Sequence, residues 1–285
     1  MDLSPPVVPQ PAHRYRLPAL LQDIRLLDLL EISGTTLEAG RACGFSQPTV
    51  SRRVRALAND FALEVNRRRL VGCCYGTSPA IRLLRLSCRA HRLGAGVARL
   101  GADVLLQPLL VDCPWLLPSP PRFRSIDGWL ELVRQGVLDG ALVSGLEFGG
   151  AGPPAPRDLE LVPVGEHPFE LAMAPGQTIA AGRPATVLVP NRAVGQGLRR
   201  ELQQRGLAIQ TAGNGCHTPA HWRQRLQRSP VAMALPRLEP AHWWLDLQRL
   251  PPPAPLPVPL WLVLPGDWRQ QAVLAQTADH LTTIR

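Results

Sequence analysis

The chain contains no lysine: all 31 of its basic residues are arginine. It also lacks any apolar run approaching the ~20 residues that span a bilayer, which argues against a transmembrane helix. The proline-rich stretch 1–16 has no apolar signal-peptide core and reads as a disordered extension. Six cysteines (Cys43, Cys73, Cys74, Cys88, Cys113 and Cys216) are scattered with no C-x-x-C spacing, which speaks against a disulfide framework or a zinc knuckle and fits a reducing cytoplasm. The adjacent Cys73 and Cys74 could sense oxidation or be ordinary loop thiols. No Gly-rich phosphate loop, nucleophile elbow or paired-carboxylate motif is present, so an enzyme is not expected. Cys216-His217 with His221 looks superficially like a metal site. Pro219 interrupts the helix that would put the two histidines on one face, so neither metal nor cofactor is expected. The pair Trp243-Trp244 reads as packing anchors.

What is present is unevenly placed. Residues 14–99 carry a net charge of +9 and residues 100–285 only +1. Codon bias explains arginine in place of lysine but not this asymmetry. At 285 residues more than one domain is expected. A basic head beside a near-neutral body suits a polyanion-binding module on a regulatory or assembly domain.

Within the basic third, Phe45-Ser46-Gln47-Pro48-Thr49-Val50-Ser51-Arg52-Arg53-Val54-Arg55-Ala56-Leu57 predicts a two-faced helix. Pro48 suits a first turn, where the N–H it lacks has no intrahelical partner, and Ser46 is placed to cap. Val50, Val54, Leu57 and Phe61 share one apolar face. The other face carries Gln47, Thr49, Ser51, Arg52, Arg53 and Arg55, the residue types that read base edges and hold phosphates. Upstream, Leu20, Ile24 and Leu27 give a first helix closing near Ser33-Gly34. Thr35 or Thr36 caps a second, Leu37 to Ala42, and Gly44 turns into the third, which is the helix-turn-helix order. Arg67, Arg68 and Arg69 before a short apolar segment ending at Gly76 suit a β-wing on the phosphate backbone, or else a plain solvated charge run.

Thr77-Ser78-Pro79 opens a helix running to about Arg99. Leu83, Leu86, Ala90, Leu93 and Val97 recur at coiled-coil spacing, which predicts dimerisation; the alternative is packing on its own chain. Beyond residue 100, strands are expected at Leu138–Gly145, Glu170–Ala174, Thr186–Val189, Ala208–Thr211, Val231–Leu235 and Leu260–Leu264. Helices are expected at Gly128–Gln135, Ala193–Arg205, Ala220–Gln227 and Trp268–Thr282. Alternation of this kind predicts an α/β sheet.

Three blocks together resemble the LysR-type family of bacterial transcription regulators: Phe45 to Arg52, Leu132 to Val143 with its central Leu138-Asp139-Gly140-Ala141-Leu142-Val143, and Ala232-Met233-Ala234-Leu235-Pro236-Arg237. The chain departs from the family pattern at Ala58, at Val65-Asn66 and around Ser229-Pro230. The resemblance implies a multidomain α/β chain. A winged helix-turn-helix (17–76) and a dimerising linker helix (77–99) would precede a two-lobed effector domain like the type II periplasmic binding proteins (100–285), with lobe one about 100–163 plus 266–285 and lobe two about 164–265. It further implies double-stranded DNA as partner, a homodimer or homotetramer, and a small-molecule effector, identity unknown, in the cleft between lobes. By that analogy Thr36, Ser46, Gln47, Pro48, Thr49, Ser51 and Arg52 approach the groove, and Arg53, Arg55 and Arg67 to Arg69 hold phosphates. Asp103, Ser144, Gly145, Asn191, Arg192, Asn214 and Thr218 face the cleft. Pro190-Asn191-Arg192 opens a helix whose free N–H groups would receive a carboxylate or phosphate. Two other classes stay open: an architectural or constitutive DNA-binding protein without effector, and a small-molecule enzyme or solute binder with an incidental basic head.

Overall fold

A computed structural model describes residues 9–67, 71–151, 157–179, 185–191, 193–213, 218–237, 247–250 and 256–284. Four helices come first: α1 (Gln22–Ser33), α2 (Thr36–Cys43), α3 (Gln47–Asp60) and α4 (Pro79–Gly94). Thr35 caps α2 by accepting from the Glu38 N–H at 3.2 Å. Gly44 ends α2 at φ +74°, a left-handed conformation that glycine adopts without Cβ strain. The turn into α3 is therefore locally encoded. Val50, Val54 and Leu57 pack with Leu27, Leu30, Ile81 and Cys88 into the core of this helical head. Leu20 lies outside the expected stripe, in a 3-10 turn before α1, and is exposed.

The body begins with β1 (Leu100–Ala102). It continues through α5 (Ile126–Arg134), β2 (Gly140–Ser144), β3 (Leu159–Met173), β4 (Thr186–Val189), α6 (Gln196–Gln204), β5 (Ala208–Thr211), α7 (Pro219–Arg228), β6 (Ala232–Pro236), β7 (Gln248–Leu250), β8 (Leu256–Pro265) and α8 (Ala272–Thr283). The strands form one sheet in the order β1-β2-β8-β3-β6-β4-β5, with β7 also on β3. Two long antiparallel strands make it two-lobed. Residues 159–163 of β3 pair with the end of β8 that also pairs with β2, whereas residues 169–173 pair with β6. A register shift between Pro163 and Gly165 marks the passage from one half to the other. Parallel pairs β1–β2, β4–β5 and β4–β6 flank these strands on either side. Among the described residues no helix is long and apolar enough to cross a membrane.

Three expectations are corrected. From residue 9 onward the N-terminal extension is pinned rather than disordered: the Gln10 N–H donates to Gly96 O at 3.0 Å, Ala12 N–H to Pro114 O at 2.7 Å, and the Tyr15 hydroxyl meets His91 Nδ1 at 3.0 Å. The wing segment contains no strand among its described residues; a bond from Asn66 N–H to Cys74 O closes it as a loop, and Arg68 and Arg69 lie outside those residues. The third correction concerns α4. Its apolar stripe does not face one partner: Leu83, Leu86 and Ala90 are exposed, while Leu93 and Val97 are buried in the body.

Its opposite face, the arginine face, is the buried one. Arg85, Arg89 and Arg92 of α4, and Arg99 beyond it, are at most 2% exposed. Arg85 Nε donates to Asp28 Oδ1 of α1 at 2.7 Å. Arg92 grips Asp139, at the start of β2, through Nε at 2.8 Å and Nη2 at 2.7 Å. Arg89 Nη2 donates to the carbonyls of Val133 and Leu138 at the end of α5. Burial of Arg85, Arg89 and Arg92 is tolerated because their guanidiniums are paired or hydrogen-bonded, whereas Arg99 is buried with its Nε and Nη1 unpartnered. Part of the positive charge in the first third thus docks head onto body and is not available to an outside anion.

Candidate nucleic-acid interface and interlobe cleft

Helix α3 presents the two faces expected of it. Ser46, Gln47, Pro48, Arg52 and Arg55 are exposed, opposite buried Val50, Val54 and Leu57; Thr49, Ser51 and Thr36 are half-buried. The Ser46 hydroxyl meets Thr49 Oγ1 at 2.9 Å instead of capping a backbone N–H. Arg53 is not free for phosphate as expected: its Nε donates to Asp23 of α1 at 2.6 Å, and its guanidinium lies 5.0 Å from the Phe45 ring centroid. It pins α1 to α3. Arg67 is exposed, 5.8 Å from the Tyr75 ring centroid. Among the described residues, Arg52 and Arg55 of α3, Arg67 and Arg41 are exposed, the last paired to Glu38 at 2.7 Å.

The head is also held from the side. Arg122 Nη1 donates to Ser33 O, and Arg124 Nη2 to Glu31 O and, at 3.1 Å, to Ile32 O, so two body arginines occupy the carbonyl end of α1. Cations there complement the helix dipole. Burial pushes Arg124 down to about 10, and its Nε has no partner.

Between the halves of the body, at the C-terminal ends of β1 and β2, lies a cavity of about 30 Å³. Asp103, Phe123, Arg124, Trp129, Ser144, Glu147, Phe169 and Pro190 are among its lining. Two of the expected cleft residues, Asp103 and Ser144, are brought together here. Asp103 Oδ1 accepts from the N–H groups of Leu105 and Leu106 at 2.8 and 2.9 Å, and burial raises its carboxyl to about 6. Gly145, Asn191 and Thr218 go elsewhere. Gly145 packs against Trp261 and Pro259. Asn191 Oδ1 accepts from Ala193 N–H at 2.9 Å, a turn within its own loop. Thr218 caps α7 and lines a separate groove of about 530 Å³ between head and body, with Ser33, Arg41 and Pro120. Arg192, Asn214, Cys216 and His217 lie outside the described residues, and among the described residues no cluster of metal-ligating side chains is found.

Sequence reasoning missed Glu147. Its carboxylate, on the 3-10 turn Gly145–Ala151 after β2, accepts from the Gly197 N–H at 3.1 Å and the Leu198 N–H at 3.0 Å in the first turn of α6. An anion does sit at the helix N-terminus expected to receive one, and the chain itself supplies it. Three of the cysteines, Cys73, Cys88 and Cys113, are buried and unreactive in character. Burial pushes Cys73 up to about 12, Cys88 to about 11 and Cys113 to about 12, and the Cys73 sulfur accepts from Arg85 Nη1 at 3.3 Å.

No family model and no curated protein matches the chain. Among solved structures it is similar to a full-length OxyR from Pseudomonas aeruginosa (14% identity over 93% of this chain and 98% of that one, TM-score 0.46). It is also similar to full-length CbnR, a LysR family transcriptional regulator, in complex with its target DNA (16% identity, 92% and 98%, TM-score 0.46), and to full-length LysG from Corynebacterium glutamicum with bound effector arginine (17% identity, 92% and 98%, TM-score 0.42).

Proposed function

We propose that the chain is a sequence-specific DNA-binding transcription regulator of the LysR type, acting in the cytoplasm, with the α/β body as its controlling domain. The observation that carries this reading is α3. A helix entered through a glycine turn keeps Gln47, Arg52 and Arg55 exposed on one face while Val50, Val54 and Leu57 anchor the other in the head core. Gln is the side chain that reads adenine bidentately, and Arg reads guanine or holds phosphate. The exposed part of the α4 stripe, Leu83, Leu86 and Ala90, supports a homodimer, which would set two reading helices about 34–36 Å apart, one turn of DNA. Among the described residues lining the cleft none has the arrangement of a nucleophile with its base, and its two acids are tied to backbone N–H groups.

The test is selection of bound duplexes from a random pool, followed by affinity measurements on the selected and a scrambled sequence. Gln47→Ala should lose about 1–3 kcal/mol on the selected site and little on scrambled DNA, whereas Arg55→Ala should weaken both alike. Equal losses for Gln47→Ala on the two duplexes sink its assignment, and a pool without enrichment sinks the regulator reading. A second reading, a constitutive DNA-binding protein with no diffusible effector, is favoured by one observation: the cleft is closed by the chain's own Glu147.

A further inference from the structure

Helix α6 has no cap from its own side chains. Its N-cap is Gly195, and its first turn holds no acid. The N–H groups of such a turn have no intrahelical partner, and the helix dipole favours negative charge beside them. Glu147 meets that need from the opposite side of the cleft, on the turn that follows β2, with one oxygen for each amide: Oε2 for Gly197 and Oε1 for Leu198. This is the two-pronged seat that a ligand carboxylate takes at a helix N-terminus.

Two independent features show that the fit is built rather than incidental. The backbone on both sides comes into contact: a Cβ on Gly197 would lie 1.9 Å from the Leu146 carbonyl oxygen, so only glycine permits the approach. The space left is about 30 Å³, far below the ~150 Å³ that holds one benzene. In addition, the half-buried Arg124, whose buried Nε is unpartnered, lines the same cavity beside Asp103 and Glu147.

We propose that Glu147 is a built-in ligand of the cleft: its carboxylate occupies the seat of a carboxylate effector and holds the two lobes together without one. The structural claim concerns the body alone; only its consequence, that DNA affinity is set without a diffusible acid, rests on the regulator reading. Glu147→Ala would empty the seat and leave room for a small carboxylate.

The experiment is thermal unfolding of the full chain with sodium propionate against sodium chloride at equal ionic strength. Removing two charge-assisted hydrogen bonds should lower the Tm of Glu147→Ala by about 3–8 °C. Propionate at tens of millimolar should restore at least half of that loss and leave the wild-type chain unmoved. Glu147→Gln, which keeps an acceptor but blocks the seat, should fall less and gain nothing from propionate. A Glu147→Ala chain that melts with the wild type, or a wild-type chain raised by propionate as much as the variant, overturns the proposal. Should Glu147→Ala not fold, amide hydrogen exchange of the wild-type chain decides: Gly197 and Leu198 should be protected well beyond an uncapped first turn, and free exchange at both refutes the clasp. Failure of DNA selection would leave these outcomes standing, so the two readings fail separately.

Discussion

Asp139→Asn is the sharpest single perturbation of this structure. Asp139 is fully buried and accepts three short bonds, from Arg92 Nε at 2.8 Å, Arg92 Nη2 at 2.7 Å and the Arg99 N–H at 2.7 Å, with Arg89 Nε at 3.6 Å. The other fully buried aspartate facing the α4 arginines, Asp28, is committed to Arg85. Asparagine keeps the shape but removes the charge and turns an N–H₂ donor toward guanidinium donors. Two buried cations, Arg92 and Arg89, then lose their counter-ion. Breaking a buried pair from one side costs about 3–5 kcal/mol, against total stabilities of about 5–15 kcal/mol. The expected fall in Tm is roughly 6–20 °C for a chain of this size. Urea titration of wild type and variant measures it. The pH dependence gives an independent check. Full burial works against the Asp139 carboxylate, but Arg92, and Arg89 beside it, hold its carboxyl below the ordinary value. A lowered carboxyl stabilises fully above its unfolded value near ~3.9 and loses that contribution as pH falls through the folded value. The gap between wild type and variant should therefore stay constant from neutral pH down to about 5 and narrow in stronger acid. A loss under ~1 kcal/mol, in the range of an exposed pair, refutes the claim that this carboxylate holds the junction.

Two further predictions follow from other parts of the molecule. Burial raises Asp103 to about 6, so its contribution is full below its unfolded value and is lost as pH rises through about 6; Asp103→Asn should raise Tm at pH 8 and leave it unchanged at pH 4, and an equal shift at both would contradict the desolvation argument. Leu83 and Leu86 are 67% and 40% exposed on α4. Changing both to Glu should convert a dimer to monomer in sedimentation while altering monomer stability by only about ±0.5 kcal/mol per site, and an unchanged mass would remove this face from the interface.

Local features of the fold were legible in the sequence because they depend on neighbours a few residues away. Val50, Val54 and Leu57 repeat with the helical period, Pro48 and Gly44 punctuate the chain, and α3 forms between them as expected. Strands β4 and β5 were bounded to the residue by their apolar runs. Helix α4 opened at Pro79 behind Ser78, whose hydroxyl accepts from Ile81 N–H at 3.3 Å. Its burial was not legible, because arginine on a helix face reads as solvent- or phosphate-facing until an acid is found opposite it. Asp28 stands 57 positions from Arg85, and Asp139 stands 47 from Arg92. Nor was Glu147: the turn Gly145–Ala151 carries no local sign of a ligand, and its amide partners are 50 and 51 residues further on.

The sequence by itself determined a helix-turn-helix head with an arginine-bearing, two-faced third helix and an alternating α/β body. Periodicity, caps and glycine turns act within one element and need nothing from the rest of the chain. Only the tertiary structure decided which arginines remain exposed and what fills the cleft. An exposed Arg55 and a buried Arg92 are the same residue type on similar helices. What separates them is Asp139, brought alongside Arg92 by the docking of α4 on the body, where the carboxylate offsets the cost of burying the cation. The cleft follows the same rule: the amides of α6 required an acceptor, and the fold places Glu147 within reach.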